Sequence, residues 1–295
     1  MTHPNSITPD AALGAGSDRG LAASRRRLAW FALGMGGWAF AGLVWVIGFQ
    51  QEGRFIFPGG EVRVFYAFAG DAFRLGTDPY AINAYGTVFF YAPPWAAAFA
   101  MLSWAGPGAI HLVILVADLL ALRYMARGWV RAGVLCWFLL VPWEMAAGQI
   151  NLIVAASIVA AVRGTVWPAA ITTLAKVSPA LAVSRRDWRT FAIALAVCVV
   201  LTLPRLDLWP LWIERLLWGL GHPLGPLVPV PFLVRLPVAI GLVVWGRPWS
   251  RALGAVLATP GFYWASLVLL VAPAVVWLER PRPSSDAAPA IALTQ

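Results

Sequence analysis

The sequence predicts an all-α fold, a polytopic bundle of transmembrane helices, on three observations. The first is composition. Of 295 residues, 60% are hydrophobic and only 12% charged, with a mean hydropathy of +0.74, whereas soluble domains lie near about 45–50% and 25%. The second is distribution: the apolar residues gather into long runs, and the first uncharged run, 28–48, is long enough to cross about 30 Å of hydrocarbon. The third is the 17 tryptophans, whose rings suit a chain with many membrane–water boundaries because the indole body packs in hydrocarbon while its N–H reaches polar headgroups. A soluble domain of this size is excluded.

Charge is scarce and lopsided. The 22 basic and 13 acidic residues leave a net charge of +9, and every basic residue except Lys176 is an arginine. A pI of about 10.5 in a soluble protein would point to nucleic acid, but here the arginines stand in ones to threes between apolar runs. Membrane lipids and topology explain them, and no nucleic-acid partner is expected. Cys136 and Cys198 fall inside apolar runs and read as small buried hydrophobes.

Taken in order, residues 1–24 are polar and rich in Ala, Gly, Ser and Thr, and Arg25, Arg26 and Arg27 precede the first span. This reads 1–27 as a disordered cytoplasmic tail. The transmembrane domain is then 28–278, with 49–86 an external loop carrying interfacial helices and 279–295 a second disordered tail. Further apolar segments fall at 87–105, 109–126, 131–147, 149–163, 165–183, 189–204, 229–246 and 252–278. Several are shorter than the roughly 20 residues a straight span needs, which predicts about eight spans with some re-entrant. Prolines at 93, 94, 142, 168, 179, 260 and 273 interrupt them, removing helix hydrogen bonds and leaving room for a cavity. The stretch 207–220, with Trp209, Trp212, Glu214, Arg215 and Trp218, reads as a helix lying on the membrane surface. If every segment crosses once, Arg123, Arg127 and Arg131 fall outside, against the positive-inside rule; making one early segment re-entrant moves Arg185, Arg186 and Arg189 outside instead.

Four groups of residues can carry chemistry. Glu61, Asp71 and Asp78 stand among aromatic residues in the external loop, where a partly desolvated carboxylate can act as a general base. Structural readings stand beside this: Glu61 with Arg63, Asp71 with Arg74 at i+3, and an Asp78-Pro79 turn. Phe89-Phe90-Tyr91-Ala92-Pro93-Pro94-Trp95 presets the first turn of the next helix. Gln149 and Asn151, shortly after Glu144, are carboxamides between apolar runs that require hydrogen bonds. Two residues apart, they share no face of a regular helix, so either the backbone is irregular or they serve different partners, with helix capping by Asn151 the structural alternative. Lys176 lies in an apolar run beside Pro179, where a lysine costs about 2.5–3.5 kcal/mol if central; it either snorkels to the interface or holds an anion. His111 and Asp118 share a helix face without a third ligand, so no metal is expected, and His222 reads as a loop residue.

The order Glu61 with Arg-Val-Phe-Tyr at 63–66, Gly-Thr-Asp-Pro-Tyr at 76–80, Phe-x-Tyr-x-Pro-Pro at 89–94, Gly-Gln-x-Asn at 148–151 and Ala-Lys-x-x-Pro at 175–179 resembles glycosyltransferase family 87. These are polyprenyl-phosphate-sugar-dependent membrane mannosyltransferases of the GT-C superfamily. The resemblance implies a GT-C-like bundle in the plasma (inner) membrane, a polyprenyl-phosphate sugar donor, a lipid or glycan acceptor, inversion at the anomeric carbon, and no cofactor. It further implies Glu61 or Asp71 as the catalytic base and Lys176 as the group that meets the departing phosphate. Tyr66, Tyr80, Tyr91, Gln149 and Asn151 would then contact donor or acceptor. A lipid-carrier transporter would use the same broken helices without chemistry. The chain is also short for the family, which suggests a non-catalytic subunit of a glycan-assembly complex as a third expectation.

Overall fold

The computed structural model describes residues 10–50, 62–83, 88–221, 230–260 and 264–279, and every regular element among them is helical. In chain order these are α1 (Asp10–Gln50), a π-helical turn (Val62–Ala67), α2 (Phe68–Arg74), α3 (Pro93–Ser103), α4 (Pro107–Ala126), α5 (Trp129–Leu135), α6 (Leu140–Ala147), α7 (Asn151–Val162) and α8 (Trp167–Thr173). They continue with a 3-10 turn (Ser178–Ala182), α9 (Trp188–Val200), α10 (Leu208–Gly221), α11 (Phe232–Trp245), α12 (Pro248–Leu257), a second 3-10 stretch (Trp264–Leu270) and α13 (Val271–Leu278).

Two helices are long and apolar enough to cross a membrane, Ala22–Ile47 within α1 and Pro107–Ala126. A third crossing is formed if α5 and α6, bent by 98° at the break between them, count as one span. Across the break the N–H groups of Cys136, Trp137 and Phe138 turn to the carbonyls three residues back, and Pro142 falls in the first turn of α6, where a proline lacks no helical bond. The apolar segments from 149 onward resolve into shorter helices such as Asn151–Val162, Phe232–Trp245 and Ala265–Leu278, so hydropathy alone overstates the length of each element. Helix α1 begins at Asp10, inside the stretch expected to be a disordered tail. Its Ala- and Leu-containing sequence prolongs an existing helix, and each added residue gains a hydrogen bond without a new nucleus. The external stretch also differs from a set of surface helices: Val62, Val64 and Tyr66 of the π-helical turn are buried, and the turn packs on α3 and α4.

Backbone-to-backbone contact seats α1 on α5. A methyl group built on Gly37 would lie 1.7 Å from the carbonyl oxygen of Gly133, and one on Gly133 would lie 2.1 Å from that of Gly34. Small residues allow such an approach, and dispersion between the close surfaces holds helices together where water cannot drive them. Two indoles fasten the seam. Trp38 Nε1 donates to the Trp129 carbonyl at 3.0 Å, and Trp137 Nε1 donates to the Leu33 carbonyl at 2.9 Å.

Helix direction sorts the arginines. Trp38 stands beside Trp129, just beyond the C-terminal end of α4, and Trp45 stands beside His111 near the N-terminal end of α4. Helix α1 therefore runs antiparallel to α4, and Arg25, Arg26 and Arg27 belong to the end of the bundle that carries Arg123, Arg127 and Arg131. At that end Arg163 donates to the carbonyls of Tyr124 and Met125, each at 3.0 Å, and pairs with Glu279, which also pairs with Arg127 at 2.9 Å. The C-terminal ends of α4, α7 and α13 are thus tied at one corner. Because α1 leaves this end and α4 returns to it, the chain between them makes no net crossing. Helix α3, with 11 residues and about 16 Å long, is too short for a straight span.

A second clamp lies in the C-terminal part. Arg235 of α11 is buried, and its guanidinium donates to the carbonyls of Val230, Leu257, Thr259 and Pro260 at 2.8–3.2 Å. It thereby closes the open carbonyl end of α12.

The Gly37–Gly133 seam predicts that Gly37→Leu lowers the thermal unfolding midpoint of the detergent-purified protein by several degrees, because the clash is with backbone and no rotamer relieves it. Gly42→Leu on the same helix, where no atom lies within 4 Å of the added carbon, should leave the midpoint unchanged.

Candidate functional site

At the end of the bundle opposite the arginine corner, α6 stops at Gly148, which adopts the left-handed conformation with φ 72°. Only glycine takes this geometry without strain, and a side chain is excluded for a second reason: an added carbon would sit 2.5 Å from Val62 Cγ2 and 3.1 Å from His111 Cδ2. The N–H groups of Gly148 and Gln149 both donate to the Glu144 carbonyl, at 2.9 and 3.1 Å. After Ile150 the chain turns into α7, so Gln149 and Asn151 are separated by irregular backbone and point to one place.

That place is a buried polar cluster. The Asn151 amide donates to Glu144 Oε2 at 2.9 Å and to Gln149 Oε1 at 2.7 Å, and its oxygen accepts from Lys176 Nζ at 2.5 Å. Glu144, Asn151 and Gln149 are 0%, 1% and 5% exposed, while Lys176 is half-buried. Helix capping by Asn151 is not found: it is the first residue of α7, and no side chain caps that terminus. Lys176 sits between α8 and the Ser178–Ala182 turn, its N–H donating to the Thr172 carbonyl at 2.8 Å. Pro179, which cannot extend α8, keeps this turn open.

The three tyrosines form one wall. The hydroxyls of Tyr66 and Tyr91 are 3.3 Å apart, Tyr80 Oη donates to the Tyr91 carbonyl at 3.1 Å, and Tyr66 stacks on Phe99 with centroids 4.6 Å apart. Burial, and then the charge of Asp78, pushes the Tyr80 phenol above its usual range, so it remains a donor. Two bonds lock this wall to the lysine turn: Ala92 N–H donates to the Leu174 carbonyl at 2.7 Å, and Trp95 Nε1 to the Ile171 carbonyl at 3.1 Å. Helix α10 lies over the same segment, Trp212 Nε1 donating to the Phe90 carbonyl at 2.9 Å.

The acids of the external stretch fare differently. Asp71 accepts from Arg74 at 3.1 Å in an ion pair with side chains about half exposed, and among the described residues no hydrogen bond joins it to the lysine cluster. Asp78 accepts from the Tyr80 N–H at 2.8 Å, the turn its sequence suggested. Glu61 and His222 lie outside the described residues.

Comparison with protein-family models, curated proteins and solved structures finds no match. The site therefore rests on its own geometry.

Two buried acids were not singled out for chemistry by sequence. Glu144 holds the Asn151 amide; its signal was a carboxylate inside the apolar run 140–147 and one turn before two carboxamides. Asp118 of α4 is 0% exposed, and among the described residues neither of its oxygens has a hydrogen-bond partner. His111, seven residues earlier, spends Nε2 on the Met145 carbonyl at 3.1 Å. Among the described residues no three His, Cys, Asp or Glu side chains converge as metal ligands. The arrangement offers a cation held beside an apolar and aromatic surface, which suits an anion attached to a lipid.

Replacing the hub tests this geometry. Asn151→Leu removes two donors and one acceptor at nearly constant volume and should cost about 1–3 kcal/mol of stability, read by unfolding in detergent. Asp71→Asn, which removes only an exposed pair, should stay within about 0.5 kcal/mol of the parent.

Proposed function

We propose that this chain is a multi-pass glycosyltransferase of the plasma membrane that moves a hexose, mannose on the motif resemblance, from a polyprenyl-phosphate carrier to a lipid or glycan acceptor with inversion. The observation that carries the reading is the Lys176 ammonium, held by the Asn151 oxygen in a break between helices and locked to the tyrosine wall through Ala92 and Leu174.

In this reading the donor phosphate meets Lys176. Cleavage of the sugar–phosphate bond leaves its electron pair on the phosphate oxygen, and an ammonium fixed in a low-dielectric site stabilises that charge without reorganising. Asn151 contributes direction. With both of its N–H groups committed to Glu144 and Gln149, its oxygen faces the lysine and sets where the ammonium points. Tyr91, part-exposed, supplies a flat apolar face with a hydroxyl edge, the surface a sugar ring requires, and the buried Tyr66 and Tyr80 hold it in place. Glu61 or Asp71 takes the proton of the acceptor hydroxyl as it attacks the anomeric carbon. The arginine-rich end of the bundle faces the cytoplasm, which puts Lys176 and the tyrosines on the external side. A lipid-carrier transporter is the second reading, favoured by the 98° break between α5 and α6, since bent and discontinuous helices also line transport sites.

The decisive assay is transfer from radiolabelled polyprenyl-phosphate mannose in membranes holding the protein. Lys176→Ala should lower transfer about 10²- to 10³-fold, the usual effect of removing a group that stabilises developing charge. Of Glu61→Gln and Asp71→Asn, the variant at the base should abolish transfer and the other should leave it intact. Unchanged transfer in all three overturns the mechanism, and carrier movement across proteoliposomes with no glycosidic product selects the transporter.

A further inference from the structure

Asp118 is a buried carboxyl group that the transfer reaction does not use. It lies in the middle of the apolar helix Pro107–Ala126, fully buried, with no hydrogen-bond partner on either oxygen among the described residues. A lone ionised carboxylate in such a place carries a desolvation cost that no nearby donor offsets. The ionisable groups on the elements packed against α4 are few. Helices α3 and α7 contribute none, α5 contributes the exposed Arg131, and the π-helical turn contributes the exposed Arg63 and the buried Tyr66. The end of α13 contributes Glu279, already paired with Arg127 and Arg163. His111, on α4 itself, is bonded to the Met145 carbonyl. Helix α6, which packs against α4, contributes Glu144, fully buried like Asp118. Glu144 is in turn two hydrogen bonds from the lysine: it accepts from Asn151, which accepts from Lys176.

We infer that Asp118 and Glu144 form a proton-holding carboxyl pair, and that this pair takes up a proton when a phosphate anion engages Lys176. Before binding, the ammonium offsets one carboxylate through the Asn151 amide, and one proton held by the pair neutralises the other, as like charges that cannot both ionise require. A phosphate at Lys176 claims the ammonium. The carboxylate that it had balanced then draws a proton from solvent, forming one O–H bond and leaving the buried pair neutral. The anionic lipid is accommodated without adding net charge to the interior. The inference rests on the phosphate-binding reading of Lys176 and adds to it a coupling to pH.

The test is calorimetry of farnesyl phosphate binding to the full chain in detergent, in two buffers of different ionisation enthalpy. The expected result is uptake of about one proton per phosphate bound, with Kd tightening up to about tenfold per pH unit lowered. Glu144→Gln removes the carboxylate that takes up the proton and should still bind farnesyl phosphate but with heats independent of the buffer, whereas Asp118→Asn, which removes the carboxyl group already protonated before binding, should keep the uptake. Infrared difference spectra supply an independent readout: on binding, the parent should gain the carbonyl stretch of a newly protonated carboxylic acid, absent in Glu144→Gln. Binding with buffer-independent heats in the parent, or undiminished uptake in Glu144→Gln, overturns the proton coupling and leaves the phosphate site standing. Failure of the parent to bind farnesyl phosphate overturns the phosphate site and the coupling with it.

Discussion

Polar groups inside an apolar bundle must find partners in one another, and the Asn151 carboxamide is where this chain meets that demand. Its two N–H groups and its oxygen are committed to three side chains that come from α6, from the loop before α7 and from the turn after α8. The amide can be satisfied in one orientation only. If it flips, two donors face Lys176 and an acceptor faces a carboxylate. One residue thus fixes the relative placement of three pieces of chain that hydrophobic packing, which is not directional, would leave free to slide.

The rest of the architecture supports this end by anchoring the other. The guanidinium of Arg163 and the carboxylate of Glu279 tie the ends of α4, α7 and α13, while α1 rests on α5 through glycine backbone. Rigid contacts therefore collect at the arginine corner and along the α1 seam. The breaks, the left-handed Gly148 and the turn at Lys176 collect at the opposite end. Order at one end permits irregular backbone at the other, since non-helical chain at membrane depth survives only where protein covers it.

Much of this was legible in the residues. Composition and run length sufficed for an all-helical membrane protein, and Lys176, Gln149 and Asn151 announced themselves as polar groups that no apolar run tolerates without reason. The structure joins all three. Glu144 was harder to see because an acid one helical turn from a chain break looks the same whether it faces lipid headgroups or a buried amide. Asp118 shares a helix face with His111 in the sequence, a spacing that says nothing about a carboxyl group standing alone. Asp71 shows the converse: its aromatic neighbours suggested chemistry, yet Arg74 at i+3 is the partner it finds. Helix lengths were also hidden, since hydropathy runs straight through the break at 136–139, where a 98° change of direction divides one apolar stretch into two helices.

Arg235 carries a consequence for how the protein is assembled. Its guanidinium is satisfied by carbonyls at Val230 and at Leu257, Thr259 and Pro260, and three of these four lie more than twenty residues downstream. When α11 first leaves the ribosome, those acceptors have not been synthesised. Until they exist, a guanidinium in the first turn of an otherwise apolar helix has only the Val230 carbonyl and water to satisfy it. The guanidinium is fully satisfied only once α12 has been made and has turned back against α11, so the two helices reach their final packing together, as a hairpin, and not one after the other.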